Sequence, residues 1–130
     1  MFSVGCNRVT TLHNSTLHGE TVAIAYAEKK LQTFTLKSES NVKYVMCTSC
    51  EPCAMCIGAT FWAGPAEMIC AATKDDAESI GFNEGPVFPQ SYKMLEESGV
   101  KVKKCVLREQ GRQVLLRYGE IGLIYNSSGK

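Results

Sequence analysis

The sequence predicts a single α/β domain with helices on both faces of one sheet. Three observations lead there. Apolar residues recur at helical spacing in some segments and in short strand-like runs in others, and the two kinds alternate along the chain. Clusters of Gly, Pro, Asn and Ser separate them. The length, 130 residues, suits one domain with a core of its own, and no repeat, linker or low-complexity stretch divides residues 1–130.

Residues 2–6 are a short apolar-leaning run that reads as the end of a strand. Residues 7–17, rich in Thr, Asn and Ser, read as a loop. From His18 the pattern becomes helical: Val22, Ala25, Tyr26 and Leu31 recur on one side, with Glu20, Glu28, Lys29 and Lys30 on a wetter face. Residues 38–41 predict a turn and residues 42–47 a strand. Ser49-Cys50-Glu51-Pro52 then reads as a helix start. Proline suits a first helical turn, and a glutamate is favourable near the positive end of the helix dipole. That helix is expected to run through Trp62 and stop at Gly64-Pro65.

Residues 68–72 predict a short buried strand, and residues 81–89, with two prolines and two glycines, a loop. A helix over 91–98, a strand over 100–106 and a helix over 108–118 complete the order. Cys6, Cys70 and Cys105 are expected as small buried residues. Phe61 and Trp62 are expected to pack helix against sheet, and Leu95, Val100, Val102, Val106 and Leu107 to join the core.

Charge narrows the function. Fourteen basic and 13 acidic residues give a net charge of +1, and no basic run exceeds Lys103-Lys104. Proteins that grip a nucleic-acid backbone carry basic stripes, because their affinity comes from neutralising phosphates. A small neutral substrate is therefore expected, with no nucleic acid as partner. No stretch approaches the roughly 20 apolar residues that cross a bilayer, and residues 1–4 do not read as a signal peptide. The seven cysteines are an odd number, and four of them fall within residues 47–56. That crowding points to metal chemistry in a reducing compartment, here the cytoplasm, and not to a disulfide framework.

The chemistry concentrates in two motifs, His18-Gly19-Glu20 and Pro52-Cys53-Ala54-Met55-Cys56. One imidazole and two thiolates make three ligands for one tetrahedral zinc per chain, with the fourth position left for water. Each motif opens a predicted helix, where free amides and the dipole favour thiolate over thiol. Cysteines three apart share a helical face. Glu20 can stay off the metal yet reach its water as general acid and base. His-Gly-Glu alone would be an ordinary surface turn; both motifs together read as a hydrolytic centre. A rival uses the run Cys47, Cys50, Cys53, Cys56, which is close to an iron–sulfur binding run. That run wants a three-residue final gap followed by proline, whereas here the gap is two and Pro52 precedes Cys53. A structural zinc site with four protein ligands would leave Glu20 without a role.

The two motifs match the signature of zinc deaminases of nucleobases. Over nearly its whole length the chain resembles the cytidine-deaminase-like superfamily, and within it bacterial guanine and nucleoside deaminases. The segment Cys47-Thr48-Ser49-Cys50-Glu51-Pro52-Cys53-Ala54-Met55-Cys56-Ile57-Gly58-Ala59 is similar to the guanine-deaminase zinc segment, as is Asp76-Ala77-Glu78-Ser79-Ile80-Gly81-Phe82-Asn83-Glu84. Thr16-Leu17-His18-Gly19-Glu20 looks more like yeast-type cytosine deaminase. The resemblance implies a three-layer α/β/α sandwich with one mixed sheet. It also implies that His18, Cys53 and Cys56 bind zinc and Glu20 moves protons. Asn7 would hold the base edge, and Glu84 would contact the purine ring and shuttle protons. The resemblance implies hydrolytic deamination of a nucleobase or nucleoside, guanine to xanthine first, then cytosine or cytidine, then adenosine in tRNA. A homodimer or higher oligomer is expected. Two departures stand out: the family's usual first helix and strand ahead of residues 2–7 are not in this sequence, and residues 121–130 diverge from guanine-deaminase tails that close a partner's pocket.

Overall fold

The computed structural model describes residues 1–38 and 40–127. Its elements run α1 (Gly19–Leu31), β1 (Val45–Cys50), α2 (Ala54–Ala63), β2 (Glu67–Ala72), α3 (Lys74–Ser79), α4 (Pro89–Glu97), β3 (Lys101–Lys103) and α5 (Arg108–Ile121). Among the described residues the sheet has three strands in the order β1-β2-β3. Both pairings are parallel, with Val45 opposite Glu67, Cys50 opposite Ala72 and Met68 opposite Val102.

Alternation along β2 explains the layers. Met68, Cys70 and Ala72 are fully buried, while Glu67, Ile69 and Ala71 are partly open. Met68 and Cys70 join Ile24 of α1, Ile57 of α2 and Leu95 of α4 in one core cluster. The opposite face receives α5. There Gly111 comes so close that a Cβ would stand 2.8 Å from the Ala72 nitrogen and the Ser49 carbonyl oxygen. Those neighbours are backbone and cannot swing aside. The α/β class with helices on both faces is therefore as the sequence predicts.

Several expectations need correction. Residues 2–6 form no strand. They lie along α1, with Ser3 Oγ donating to the Ala23 carbonyl and Gly5 pressed against Gly19, so they find no ladder partner. Without them the described sheet has no antiparallel member and is parallel, not mixed. The strand expected over 42–47 is Val45–Cys50, because its partner β2 fixes the register. The strand thus overruns the expected helix start: Glu51 donates its backbone N–H to Ala72, and α2 begins only at Ala54.

Burial also differs. The inner face of α1 is Val22, Ile24 and Ala27, while Tyr26 is exposed. Cys6 and Cys105 are exposed, and only Cys70 of the three is buried. Trp62 stands in solvent at 78 % exposure, and Phe61 is the ring that packs against the core. Leu95 and Val100 are buried, but Val106 and Leu107 are not. β3 ends at Lys103, and the chain then turns through left-handed Cys105 and Leu107 instead of continuing as strand. The expected turn over 38–41 includes Glu39, which lies outside the described residues, as do residues 128–130.

α3, which the residue pattern did not suggest, is held by a capping box. The Thr73 hydroxyl accepts from the Asp76 N–H, and the Asp76 carboxylate accepts from the Thr73 N–H at 2.9 Å. The same carboxylate takes two hydrogen bonds from Arg108 at the start of α5, at 2.9 and 3.0 Å. The Arg108 guanidinium, with the Thr73 amide, holds the Asp76 carboxyl well below the usual carboxylate range. A depressed carboxyl stabilises the fold above its unfolded pKa, about 3.9, and that support is lost as pH falls further.

Two outcomes follow. Thr73→Ala should cost about 1 kcal/mol in chemical denaturation, the usual loss for a helix cap. Asp76→Asn should flatten the fall in melting temperature below about pH 4, since the titrating group is gone.

Candidate active site

Parallel pairing places the ends of β1 and β2 side by side, and ligand sites in such sheets form beyond the carboxyl ends of strands. From β1 the chain passes through Glu51 and Pro52 to Cys53, the residue that caps α2. His18 caps α1 in the same way. Two helix N-termini therefore meet at one point, each presenting unpaired amides and partial positive charge.

The ligating atoms of His18, Cys53 and Cys56 all lie within 4.8 Å of one another, and among the described residues no other His/Cys/Asp/Glu trio does so. His18 Nδ1 is 3.5 Å from Cys53 Sγ. Donors of a tetrahedral zinc, at bond lengths of about 2.0 and 2.3 Å, stand about 3.5–3.8 Å apart, so the spacing fits. The chemistry fits as well. The Cys56 thiol beside it, and then His18, pull Cys53 down to about 4. Cys56 is pushed up by its hydrogen bond to Cys53 and by burial. The pair thus holds one proton between two buried sulfurs, and binding a divalent cation would release it. His18 is raised above its ordinary value, first by its hydrogen bond to Cys53.

Cys47 and Cys50 stay outside. Cys47 is exposed on β1, and Cys50 Sγ donates to the Thr73 carbonyl. The four-cysteine run is not gathered into a cluster. Glu51 is not in the first turn of α2 either; its carboxylate accepts from the N–H of Lys74, the first residue of α3, and pairs with Lys104.

Two carboxylates border the trio. Thr48 Oγ1, hydrogen-bonded to the Cys50 carbonyl at 2.8 Å, lies 3.4 Å from Glu20 Oε1. Glu84 arrives on the loop after α3, where its carbonyl accepts the Ala54 N–H, one of the orphan donors of α2. Burial, then the nearby Cys53 and Glu20, push the Glu84 carboxyl up to about 7. Asn7 also faces the site. Its Oδ1 accepts from the Val9 N–H at 3.0 Å and its Nδ2 donates to the Tyr125 hydroxyl at 2.7 Å. These groups open on a cavity of about 900 Å³ that continues along residues 1–7 and β1. That volume lies within the range usual for small-molecule sites.

A family model described as the cytidine and deoxycytidylate deaminase zinc-binding region matches residues 1–72, which include all three metal-ligating candidates. The chain belongs to this family. A guanine deaminase of Bacillus subtilis (strain 168) is 36 % identical over 105 residues, covering 81 % of this chain and 64 % of the relative. A solved guanine deaminase from Nitrosomonas europaea is 38 % identical with a TM-score of 0.83, covering 89 % of this chain and 64 % of that one. A related variant solved in complex with 8-azaguanine is 37 % identical with a TM-score of 0.85, covering 89 % and 63 %. This chain spans less than two thirds of the length of each. Zinc is the metal this deaminase family's matching region binds, and the donor set here suits it.

The sequence motifs located the trio, but not Thr48 or Tyr125. Thr48 follows the exposed Cys47 on β1, so strand alternation turns it toward Glu20. Tyr125 carries no local signal, because it meets Asn7 across 118 residues.

Purified protein should carry close to one zinc per chain by elemental analysis. Cys53→Ala should empty the site, whereas Cys47→Ala should leave it filled; iron with acid-labile sulfide would overturn the assignment. In metal-free protein, the raised Glu84 carboxyl contributes stability that is present below about pH 4.5 and is lost as pH rises through about 7. Melting curves across that window should flatten in Glu84→Gln.

Proposed function

We propose that the protein is a zinc-dependent aminohydrolase that removes an exocyclic amine from a free nucleobase, converting guanine to xanthine with release of ammonia. One observation carries this: two carboxylates, Glu20 and Glu84, stand beside a three-donor N/S site at the inner end of a small-molecule cavity. A structural zinc site would have no use for either. Support for guanine comes from relatives named as guanine deaminases and from the structure solved with 8-azaguanine.

His18, Cys53 and Cys56 would hold the metal, which when bound would supply a water acidified to near neutrality. Glu20 would carry one proton to the ring nitrogen and a second, from the hydroxyl added to the ring carbon, to the departing amine. Glu84, raised toward neutrality, accepts from ring N–H groups and passes protons at the same pH. Asn7 keeps one Oδ1 lone pair and one Nδ2 hydrogen free for the base edge, because Val9 and Tyr125 engage the others. Burying the ring in the cavity excludes bulk water from this exchange.

Residues 1–130 act as one domain in this reading, with seven free cysteines that suit the reducing cytoplasm. Among the described residues no helix is long and apolar enough to cross a membrane. The outer edge of β1 and residues 2–6 both lack strand partners there, and such edges pair with other chains. We place the protein in a homodimer or higher oligomer, which sedimentation at micromolar concentration would show as a mass above that of one chain.

Ammonia release from a panel of guanine, cytosine, adenine and their nucleosides tests the substrate, with guanine expected first. Glu20→Ala should keep zinc yet lose on the order of 10²–10⁴-fold in kcat. Glu84→Gln should cut guanine turnover by orders of magnitude and spare any cytosine activity, since a buried group that loses its partner costs several kcal/mol. Equal loss on both rings would assign Glu84 to the fold.

A further inference from the structure

After α5 the chain does not leave the site. The Tyr118 hydroxyl donates to the Leu123 carbonyl at 2.8 Å and turns the chain back. Asn83 and Asn126 then exchange two hydrogen bonds, Asn83 N–H to the Asn126 carbonyl at 3.2 Å and Asn126 Nδ2 to the Asn83 carbonyl at 2.9 Å. Phe82 and Ser127 form an antiparallel bridge. Phe82 also stacks edge-on against Tyr125, with ring centroids 5.5 Å apart at 88°. The Tyr125 ring is thus pinned from several directions, and its hydroxyl has a fixed address.

That address lies between two groups of different function. The hydroxyl oxygen is 2.7 Å from Asn7 Nδ2 and 3.4 Å from His18 Nε2. His18 turns its other nitrogen, Nδ1, toward Cys53. A ring nitrogen that faces a metal carries no proton, so the proton of the neutral imidazole sits on Nε2 and points at Tyr125. Asn7 cannot reverse its amide, because its Oδ1 is committed to the Val9 N–H. Both neighbours therefore donate, and one phenolic oxygen with two lone pairs can accept both.

We propose that Tyr125 is a positioning residue: its oxygen fixes the His18 tautomer and the Asn7 amide together, tying metal binding to recognition of the base edge. This rests on the proposed roles of His18 as zinc ligand and Asn7 as base reader. Partners of this kind, on the far nitrogen of a ligating histidine, typically change metal affinity 10–100-fold when removed. Here the same atom also holds the amide that the base must meet, so removing it loosens both.

Tyr125→Phe keeps the ring that packs on Phe82 and removes only the hydroxyl. Melting temperature and circular dichroism should stay near wild type. The zinc dissociation constant, read by competition with a chromophoric chelator, should weaken about 10–100-fold. Binding of 8-azaguanine by calorimetry to the zinc-loaded protein should weaken in Tyr125→Phe and in Asn7→Ala, with the double variant no weaker than Asn7→Ala alone. In wild type the His18 Nε2 proton should be visible by NMR, and in Tyr125→Phe it should be lost to exchange with water. Zinc affinity within twofold of wild type in the folded variant would overturn the proposal, and so would additive losses in the double variant. These readings need no turnover, so an absence of ammonia release would count against the deaminase reading and leave the role of Tyr125 to be decided by zinc and 8-azaguanine.

Discussion

The parallel pairing of β1 with β2 decides where everything else sits. Cys50 lies opposite Ala72, and Glu51 donates one further hydrogen bond to Ala72 before the chain is released into α2. A start one residue earlier or later would rotate every side chain of that helix by about 100° about its axis. Cys53 and Cys56 would then face away from His18. The same constraint acts at the far end of β2, where Thr73 caps α3 and sends the chain toward Glu84. Gly111 allows α5 to press on both strands at this level, so the register is held from the opposite face as well. The metal trio is thus a product of strand register more than of the helices on which it rides.

Around the trio the balance of charge is unfavourable without a cation. The Cys56 thiol is pushed up, Cys53 is pulled down, and Glu84 is pushed toward neutrality by burial, then by Cys53 and Glu20. Two helix N-termini supply partial positive charge there, about half an elementary charge each. Nearly opposite logic governs Asp76, which has Arg108 and two donors from Thr73 and so serves only the fold. The same side-chain chemistry, a carboxylate in the segment after β2, is held charged in one place and pushed toward neutrality in the other according to its partners.

The sequence carried the α/β class, seven helix or strand positions within a few residues, and the metal trio, because each of these depends on local spacing. His18-x-Glu20 and Cys53-x-x-Cys56 are legible since residues two or three apart on a helix end have a fixed relation. What failed depends on distant partners. Residues 2–6 look like a strand by composition but find no strand partner among the described residues. Trp62 looks like core by its chemistry, yet it lies on the outer side of α2. Cys105 and Leu107 interrupt a run of apolar residues with left-handed backbone that composition does not reveal. Tyr125 was invisible for the same reason: its meaning lies in Asn7 and His18, more than a hundred residues away.

That separation has a consequence for assembly in time. His18, Cys53 and Cys56 all precede Tyr125 by 69 residues or more, so a ribosome makes them first. Chains are made from the N-terminus at about 5–20 residues per second, so several seconds pass between the two. During that interval β1, β2, α1 and α2 can already bring the three donors together, but α5 and the Tyr125 phenol are still missing. Bringing Tyr125 to His18 then closes a loop of more than a hundred residues. A nascent chain can therefore gather His18, Cys53 and Cys56 before Tyr125 reaches Asn7 and His18.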